Sequence, residues 1–264
     1  MSLLYQPFDP AREVALVTGA GNGIGRAIAQ ALVGEGVRTV FADVNPDTVA
    51  AAVKASPRPQ LAVPFVGDLA NRAACDALLA DAHSAVGQVT HFVHSASPPR
   101  READHALAVS SETWAQMHAV NVDAGFYLAR ELARTLIAAR EPGSFLFLTS
   151  LHAGTPRNLP HYSTAKAALG MLVKELARTY GRFGIRVNAL VPGAIAAGGF
   201  VADPALAKHI PLGRLGRSED LAPMALAVLS NRISAYVTGA SITIDGGLAL
   251  TNWFDPPDLD DLRA

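Results

Sequence analysis

The residues Val14-Ala15-Leu16-Val17-Thr18-Gly19-Ala20-Gly21-Asn22-Gly23-Ile24-Gly25 decide how the rest of the chain is read. Val14 to Thr18 is a short apolar, β-branched run of the kind a buried strand requires. Over residues 25–34 the apolar side chains recur at helical spacing. At the junction Gly19, Gly23 and Gly25 are spaced G-x-x-x-G-x-G. Glycines placed there let the backbone turn tightly and come close to a pyrophosphate. The helix N-terminus behind them offers unpaired N–H groups and a favourable dipole. Gly19, Asn22, Gly23, Ile24 and Gly25 are therefore candidates to hold a dinucleotide. A tight turn with no ligand is the plainer alternative, because the spacing is not the common G-x-G-x-x-G.

The strand–turn–helix unit repeats along the chain. Further apolar runs occupy residues 38–42, 61–66, 91–94, 145–149, 186–191 and 241–244. Helical patterns occupy 72–86, 112–140, 162–183 and 218–229. Such alternation implies βαβ units and a parallel sheet. The runs are continuously apolar rather than alternating, as a sheet covered on both faces requires. The expected fold is α/β: a single doubly wound, Rossmann-like parallel sheet of about seven strands with helices on both faces. No linker or internal repeat interrupts it, so residues 1–264 are expected to form one domain. A short tail, 248–264, carries Trp253, Phe254 and the acidic end 255–261.

Composition excludes several functions. The chain has 22 basic and 23 acidic residues among 264, a formal charge of -1, and a pI near 6.7. That balance has no electrostatic footprint for nucleic acid. The 50% hydrophobic content argues against disorder. Cys75 is the single cysteine, so no internal disulfide is possible. No apolar run is long enough to cross a membrane, and residues 1–10 do not read as a signal peptide. A cytoplasmic protein with no membrane or nucleic-acid partner is expected. No metal is expected either: the eight histidines include no H-E-x-x-H. His91 and His94, three apart on a strand, point to opposite faces.

Two further features carry chemistry. Asp43 ends the second run, 18 residues after Gly25, where a carboxylate accepts both ribose hydroxyls of an adenosine and repels a 2′-phosphate. No Arg or Lys follows directly, which favours NAD over NADP. The competing reading is that Asp43 caps a turn at Asn45-Pro46. Tyr162-Ser163-Thr164-Ala165-Lys166 opens a helical stretch, and residues four apart share a helix face. A phenol is a poor base at neutral pH, and an adjacent ammonium makes it a usable acid/base. The alternative is a solvated Lys on an amphipathic helix.

Together these motifs resemble the short-chain dehydrogenase/reductase family, over nearly the whole chain from Val14 to Gly247. Thr18 to Gly25 matches its T-G-x-x-x-G-x-G. Asp68-Leu69 stands where the family places an Asp on the adenine ring. Asn121 matches its mid-helix Asn, and Ser150, twelve residues before Tyr162, its catalytic Ser. Pro192-Gly193, Pro211 to Arg214, Tyr236 to Gly239 and Asp245-Gly246-Gly247 come next in the family's order.

The resemblance implies hydride transfer between NAD and a secondary alcohol or ketone. Tyr162 is then the acid/base, and Ser150 binds the reacting oxygen. Lys166 stabilises the phenolate and holds the nicotinamide ribose, and Asn121 anchors a proton-relay water. Ser95, Ala96, Pro192, Gly193 and Ile195 fall along the cofactor. It implies a homotetramer or homodimer, with helices at 112–140 and 162–183 as the interface. Ser97, His152, Arg157 and Phe200 are expected to line the substrate site, alongside Pro98 and Leu159, beneath a lid at 194–210 hinged on Gly198-Gly199. Trp253 and Phe254 are expected to pack on a pocket.

Departures from the pattern are specific. His94-Ser95-Ala96-Ser97 replaces N-N-A-G, so Ser97 is expected to be strained, or the backbone reshaped, where a Gly adopts positive φ. Ala197 replaces a Thr that touches the nicotinamide amide, and no Gly closely follows Ser150. Other readings are an NADP-preferring 3-oxoacyl-type reductase or a non-catalytic NAD-binding regulator on this fold. A serine acylase is a further one, since Ser163 to Lys166 spells S-x-x-K.

Overall fold

A computed structural model describes residues 6–101, 103–197 and 204–250. Seven parallel strands form one sheet: β1 (Val14–Thr18), β2 (Arg38–Asp43), β3 (Ala62–Val66), β4 (His91–His94), β5 (Gly143–Leu148), β6 (Ile185–Pro192) and β9 (Ser241–Ile244). A separate pair, β7 (Ile195–Ala196) and β8 (Gly216–Arg217), joins the chain after β6 to a later loop. The sheet order is β3-β2-β1-β4-β5-β6-β9. The order reverses between β1 and β4, and in such sheets the crevice beyond the carboxyl ends at that point takes the ligand. The glycine loop after β1 and the His94–Ser97 segment after β4 flank it.

Helices cover both faces because the strands bury both. On one face Leu16, Phe92, Phe145 and Phe147 pack under α3 (Arg72–Val86), α5 (Ala124–Ala139) and α6 (Pro160–Tyr180). On the other, Val17, Phe41 and Leu146 pack under α1 (Gly23–Gly34), α2 (Pro46–Lys54) and α7 (Ala222–Leu229). Full burial of one such Leu or Phe side chain contributes about 1.5–3 kcal/mol. Arg186 on β6 closes α7: its guanidinium donates to the Val228 and Leu229 carbonyls at 2.8 and 2.9 Å, at the end of the helix where a cation is favoured.

Two elements differ from the sequence expectation. Asn45-Pro46 starts a helix, α2, rather than a turn. Asn45 Oδ1 accepts from Asp47 N and Thr48 N, and Pro46 takes the first position, where no N–H is needed. The single helix expected over 112–140 is α4 (Ser111–His118), a π turn (Ala119–Asp123) and α5. Such π turns concentrate at functional sites, and this one carries Asn121. Phe200, Gly198, Gly199, Trp253 and Phe254 lie outside the described residues. Among the described residues no helix is long and apolar enough to cross a membrane.

Candidate active site

The glycine loop is closed by contacts only glycine permits. Gly19 and Gly23 have φ of +67° and +54°. A Cβ on Gly19 would stand 2.8 Å from Ala96 N, and one on Gly25 would stand 2.1 Å from Gly19 O. The loop is thus folded onto the exit of β4 as well as onto itself. Asn22 caps α1, its Oδ1 accepting from Gly23 N at 2.7 Å, while Ile24 packs on the core below. No acidic residue occupies the first turn of α1, so its N-terminus is open to an anion.

Asp43 fills a capping role at the end of β2. Its Oδ1 accepts from Val44 N (2.8 Å) and Asn45 N (3.2 Å), and its Oδ2 from Gly21 N (3.0 Å). Gly21 was not among the expected site residues, yet it ties the carboxylate to the glycine loop. A Cβ there would stand 2.4 Å from Thr48 Oγ1. Asp68 is exposed beyond β3, beside Asp43, and accepts from Ala70 N at 3.0 Å. Leu69 turns its side chain into the core, leaving only its backbone for a ligand.

Tyr162 and Lys166 lie one turn apart near the start of α6 and are both buried. The Lys166 Nζ is 5.6 Å from the Tyr162 ring centroid and donates to Leu148 O, at the end of β5, at 2.8 Å. Burial, then the charge of Arg100, lowers the Lys166 ammonium to a pKa of about 7. Ser163 Oγ is buried with no hydrogen-bond partner among the described residues, so no bond joins it to Nζ, and the acylase reading loses its nucleophile–base pair. Ser150 follows β5 by two residues. It caps a 3₁₀ turn, Leu151–Ala153, its Oγ accepting from His152 N at 3.2 Å, so the turn forms without an early glycine.

Asn121 is held within its own helix. Its Nδ2 donates to Met117 O at 2.9 Å and to Ser97 Oγ at 3.2 Å. Its Oδ1 is buried with no hydrogen-bond partner among the described residues. Met117 of α4 packs with Leu159, Tyr162 and Ala165, and Val122 of the π turn packs against this cluster, which joins both to α6. Leu159, expected in the substrate site, is therefore a core residue.

His94 explains how the chain departs from N-N-A-G. It is fully buried, with Nε2 at 3.1 and 3.0 Å from the Val120 and Asn121 carbonyls and Nδ1 at 3.0 Å from Thr18 Oγ1. Two carbonyls on Nε2 require the proton there, so Nδ1 accepts from the Thr18 hydroxyl. Thr18 Oγ1 in turn accepts from Ser95 N and Ala96 N at 3.2 and 3.3 Å. One neutral imidazole thus links the π turn to the glycine loop. Gly125 makes room for it, since a Cβ there would stand 2.8 Å from the His94 ring. Burial, then the Lys166 charge, lowers His94 from 6.5 to about 4.

The unfolded chain takes up this proton first, so the stability is full above pH 6.5 and falls as the pH drops towards 4. The loss is of order 3 kcal/mol. Chemical denaturation at pH 7, 5.5 and 4.5 should show it, with the slope flattened in His94→Asn; an unchanged slope would refute the neutral, locked ring.

The expected substrate residues divide between site and scaffold. Ser97 does not have positive φ; among the described non-glycine residues only Arg140 and Asn158 do. The replacement of Gly is absorbed by a reshaped segment, and Ser97 Oγ serves Asn121. The His152 ring stands edge-on to the Tyr162 ring, centroids 6.4 Å apart. Arg157 is half-buried. Pro192 ends β6; Gly193 admits Asp245, whose Cβ lies 2.5 Å from the position of a Gly193 Cβ. Ile195 is held in the β7–β8 pair, opposite Gly216. Arg100 went unread: its Cζ lies 4.7 Å over the Tyr162 ring, brought there by the Pro98-Pro99 segment after β4.

A family model described as enoyl-(acyl carrier protein) reductase matches residues 19–249. The chain is 33% identical to the mouse (Mus musculus) (3R)-3-hydroxyacyl-CoA dehydrogenase, covering 89% of this chain and 95% of that one. It superposes on a 3-ketoacyl-(acyl-carrier-protein) reductase from Brucella melitensis complexed with NADH, with a TM-score of 0.84, 28% identity, and 90% and 98% of the two chains covered. A gluconate 5-dehydrogenase from Burkholderia cenocepacia, in complex with NADP and tartrate, gives 0.82, 29%, and 91% and 96%. The family model alone runs from the glycine loop through α6 to β9. On that ground the chain belongs to the short-chain dehydrogenase/reductase family and is an oxidoreductase of alcohol and ketone groups that uses a nicotinamide cofactor.

Proposed function

We propose that the chain interconverts a secondary alcohol and its ketone with NAD, using Tyr162 as the acid/base. The observation that carries this reading is the Tyr162–Lys166 pair on α6, with the ammonium 5.6 Å from the ring and fixed to Leu148 O. The cofactor, when bound, supplies or accepts the hydride. Gly19, Gly23 and Gly25 shape the loop that takes its pyrophosphate at the N-terminus of α1: a Cβ on Gly19 or Gly25 would strike the backbone the loop folds onto, and Gly23 holds a positive φ. Asp43 binds the adenosine ribose through the free acceptor capacity of Oδ2. Asp68, the Leu69 backbone, Ser95, Ala96, Pro192, Gly193 and Ile195 complete the cradle.

In reduction Tyr162 donates its proton to the carbonyl oxygen, and in oxidation it takes the hydroxyl proton. Ser150 donates to the same oxygen and steadies its charge. Lys166 has three N–H donors and uses one on Leu148 O; the others serve the ribose, and its charge stabilises phenolate. The buried, unpartnered Asn121 Oδ1 suits a water that returns the proton to solvent. Ser97, His152 and Arg157 border the substrate.

Asp43→Ala should raise the NAD dissociation constant much more than that of NADP; equal effects, read by fluorescence titration, would refute the ribose contact. The whole reading is tested by an alcohol and ketone panel followed as NADH or NADPH absorbance, and no turnover with either cofactor would end it. The chain acts as one dinucleotide-binding domain in the cytoplasm. It assembles as a homotetramer or homodimer through α4, α5 and α6, which expose Trp114, Phe126 and Met171. Light scattering after size exclusion measures that assembly.

A further inference from the structure

We propose that the substrate carries a carboxylate within a few bonds of the reacting carbon, and that Arg100 recognises it. This rests on the reading of Tyr162 as acid/base. The segment Ser97-Pro98-Pro99 leaves β4 at the crevice where the strand order reverses, and two prolines hold it extended. It delivers the Arg100 guanidinium to 4.7 Å over the Tyr162 ring, the ring whose hydroxyl handles the proton.

Nothing else in the described structure occupies this cation. Arg100 has no hydrogen bond and no ion pair there, so its planar fork of five donors is unspent. Asp104, the acid of the same loop among the described residues, is engaged elsewhere: it accepts from Arg101 N at 3.3 Å and faces the buried His161 at 3.9 Å. Stacking on an aromatic ring at an exposed site is weak, little to set against the charge next to it. That neighbour is Lys166, whose ammonium the Arg100 charge disfavours. Two cations converging on one tyrosine, with no acid between them among the described residues, are complementary to an anion. A guanidinium binds a carboxylate through two parallel N–H···O bonds, a match a neutral ester lacks.

With the fork stacked beside the ring, a carboxylate on Arg100 and a carbinol at the Tyr162 hydroxyl are joined by only a few bonds, which selects short 2- or 3-hydroxy acids and their keto acids. Binding also changes the chemistry. Once the anion neutralises Arg100, Lys166 holds its proton to higher pH, so recognition and proton transfer reinforce each other.

The test has a binding arm and a turnover arm. The full chain labelled at lysine has four side-chain signals, one from Lys166. With the cofactor present, lactate and 3-hydroxybutyrate are each titrated beside their methyl esters. The acids should shift the Lys166 signal saturably and raise its titration midpoint; the esters should not. Arg100→Gln should remove that response, and Arg100→Lys should retain part of it. In turnover, kcat/KM for acid over ester should be about tenfold or more, collapsing in Arg100→Gln.

No saturable response to any acid, or an equal response to the esters, overturns the proposal. So does an equal fall of both substrates in Arg100→Gln, which would mark Arg100 as acting on Tyr162 alone. Acids that bind through Arg100 but never turn over would instead end the acid/base reading and leave the recognition standing.

Discussion

Tyr162→Phe should lower kcat by about 10³-fold or more while leaving the cofactor dissociation constant within about twofold, since general acid/base groups contribute roughly 10²–10⁴. The substitution removes one oxygen and keeps the ring. That ring packs with Met117, Leu159 and Ala165, and Lys166 is anchored independently to Leu148 O. The fold and the cation therefore stay in place while the proton has no carrier. Steady-state absorbance and a cofactor fluorescence titration read the two quantities separately. A variant that keeps turnover within tenfold would show that another group moves the proton.

Ser150→Ala should cost about 10²–10³ in kcat, the range for losing one donor to a developing oxyanion. Here a structural effect runs alongside, because Ser150 Oγ also caps the 3₁₀ turn through His152 N. Losing a cap costs about 1 kcal/mol of stability. The two are separable. Ser150→Thr retains a hydroxyl for both duties and should recover much of the rate. A melting temperature lowered in Ala with the rate unchanged would leave Ser150 as a cap and nothing more.

How much of this was legible depended on the range of each contact. The five inner strands were visible as continuous apolar runs because both of their faces are covered, whereas the edge strands β3 and β9 alternate in burial. Tyr162 and Lys166 were visible because helical spacing alone puts them on one face. By contrast, α2 was hidden by the ambiguity of Asn45-Pro46, which opens a turn and a helix equally well; Thr48, bonded to Asn45, belonged to the helix. Apolar periodicity runs across Glu112 to Arg140 without a break, so the π turn around Asn121 shows only in the backbone. His94 stood out as a departure, but its partner Gly125 lies on another element, as does Gly21 for Asp43. Arg100 gave no signal, because only the folded loop brings it over α6.

The π turn has a consequence for how this helix could change. It stores one surplus residue in the winding between α4 and α5. Excising that residue would let both segments merge into one regular helix, a local gain in hydrogen-bond geometry. It would also rotate α4 by about 100° relative to α5. Met117 would swing away from Tyr162, and the Asn121 amide from Ser97. The π winding is what keeps two distant surfaces in phase, so a single-codon deletion here is expected to lower turnover while leaving a continuous helix.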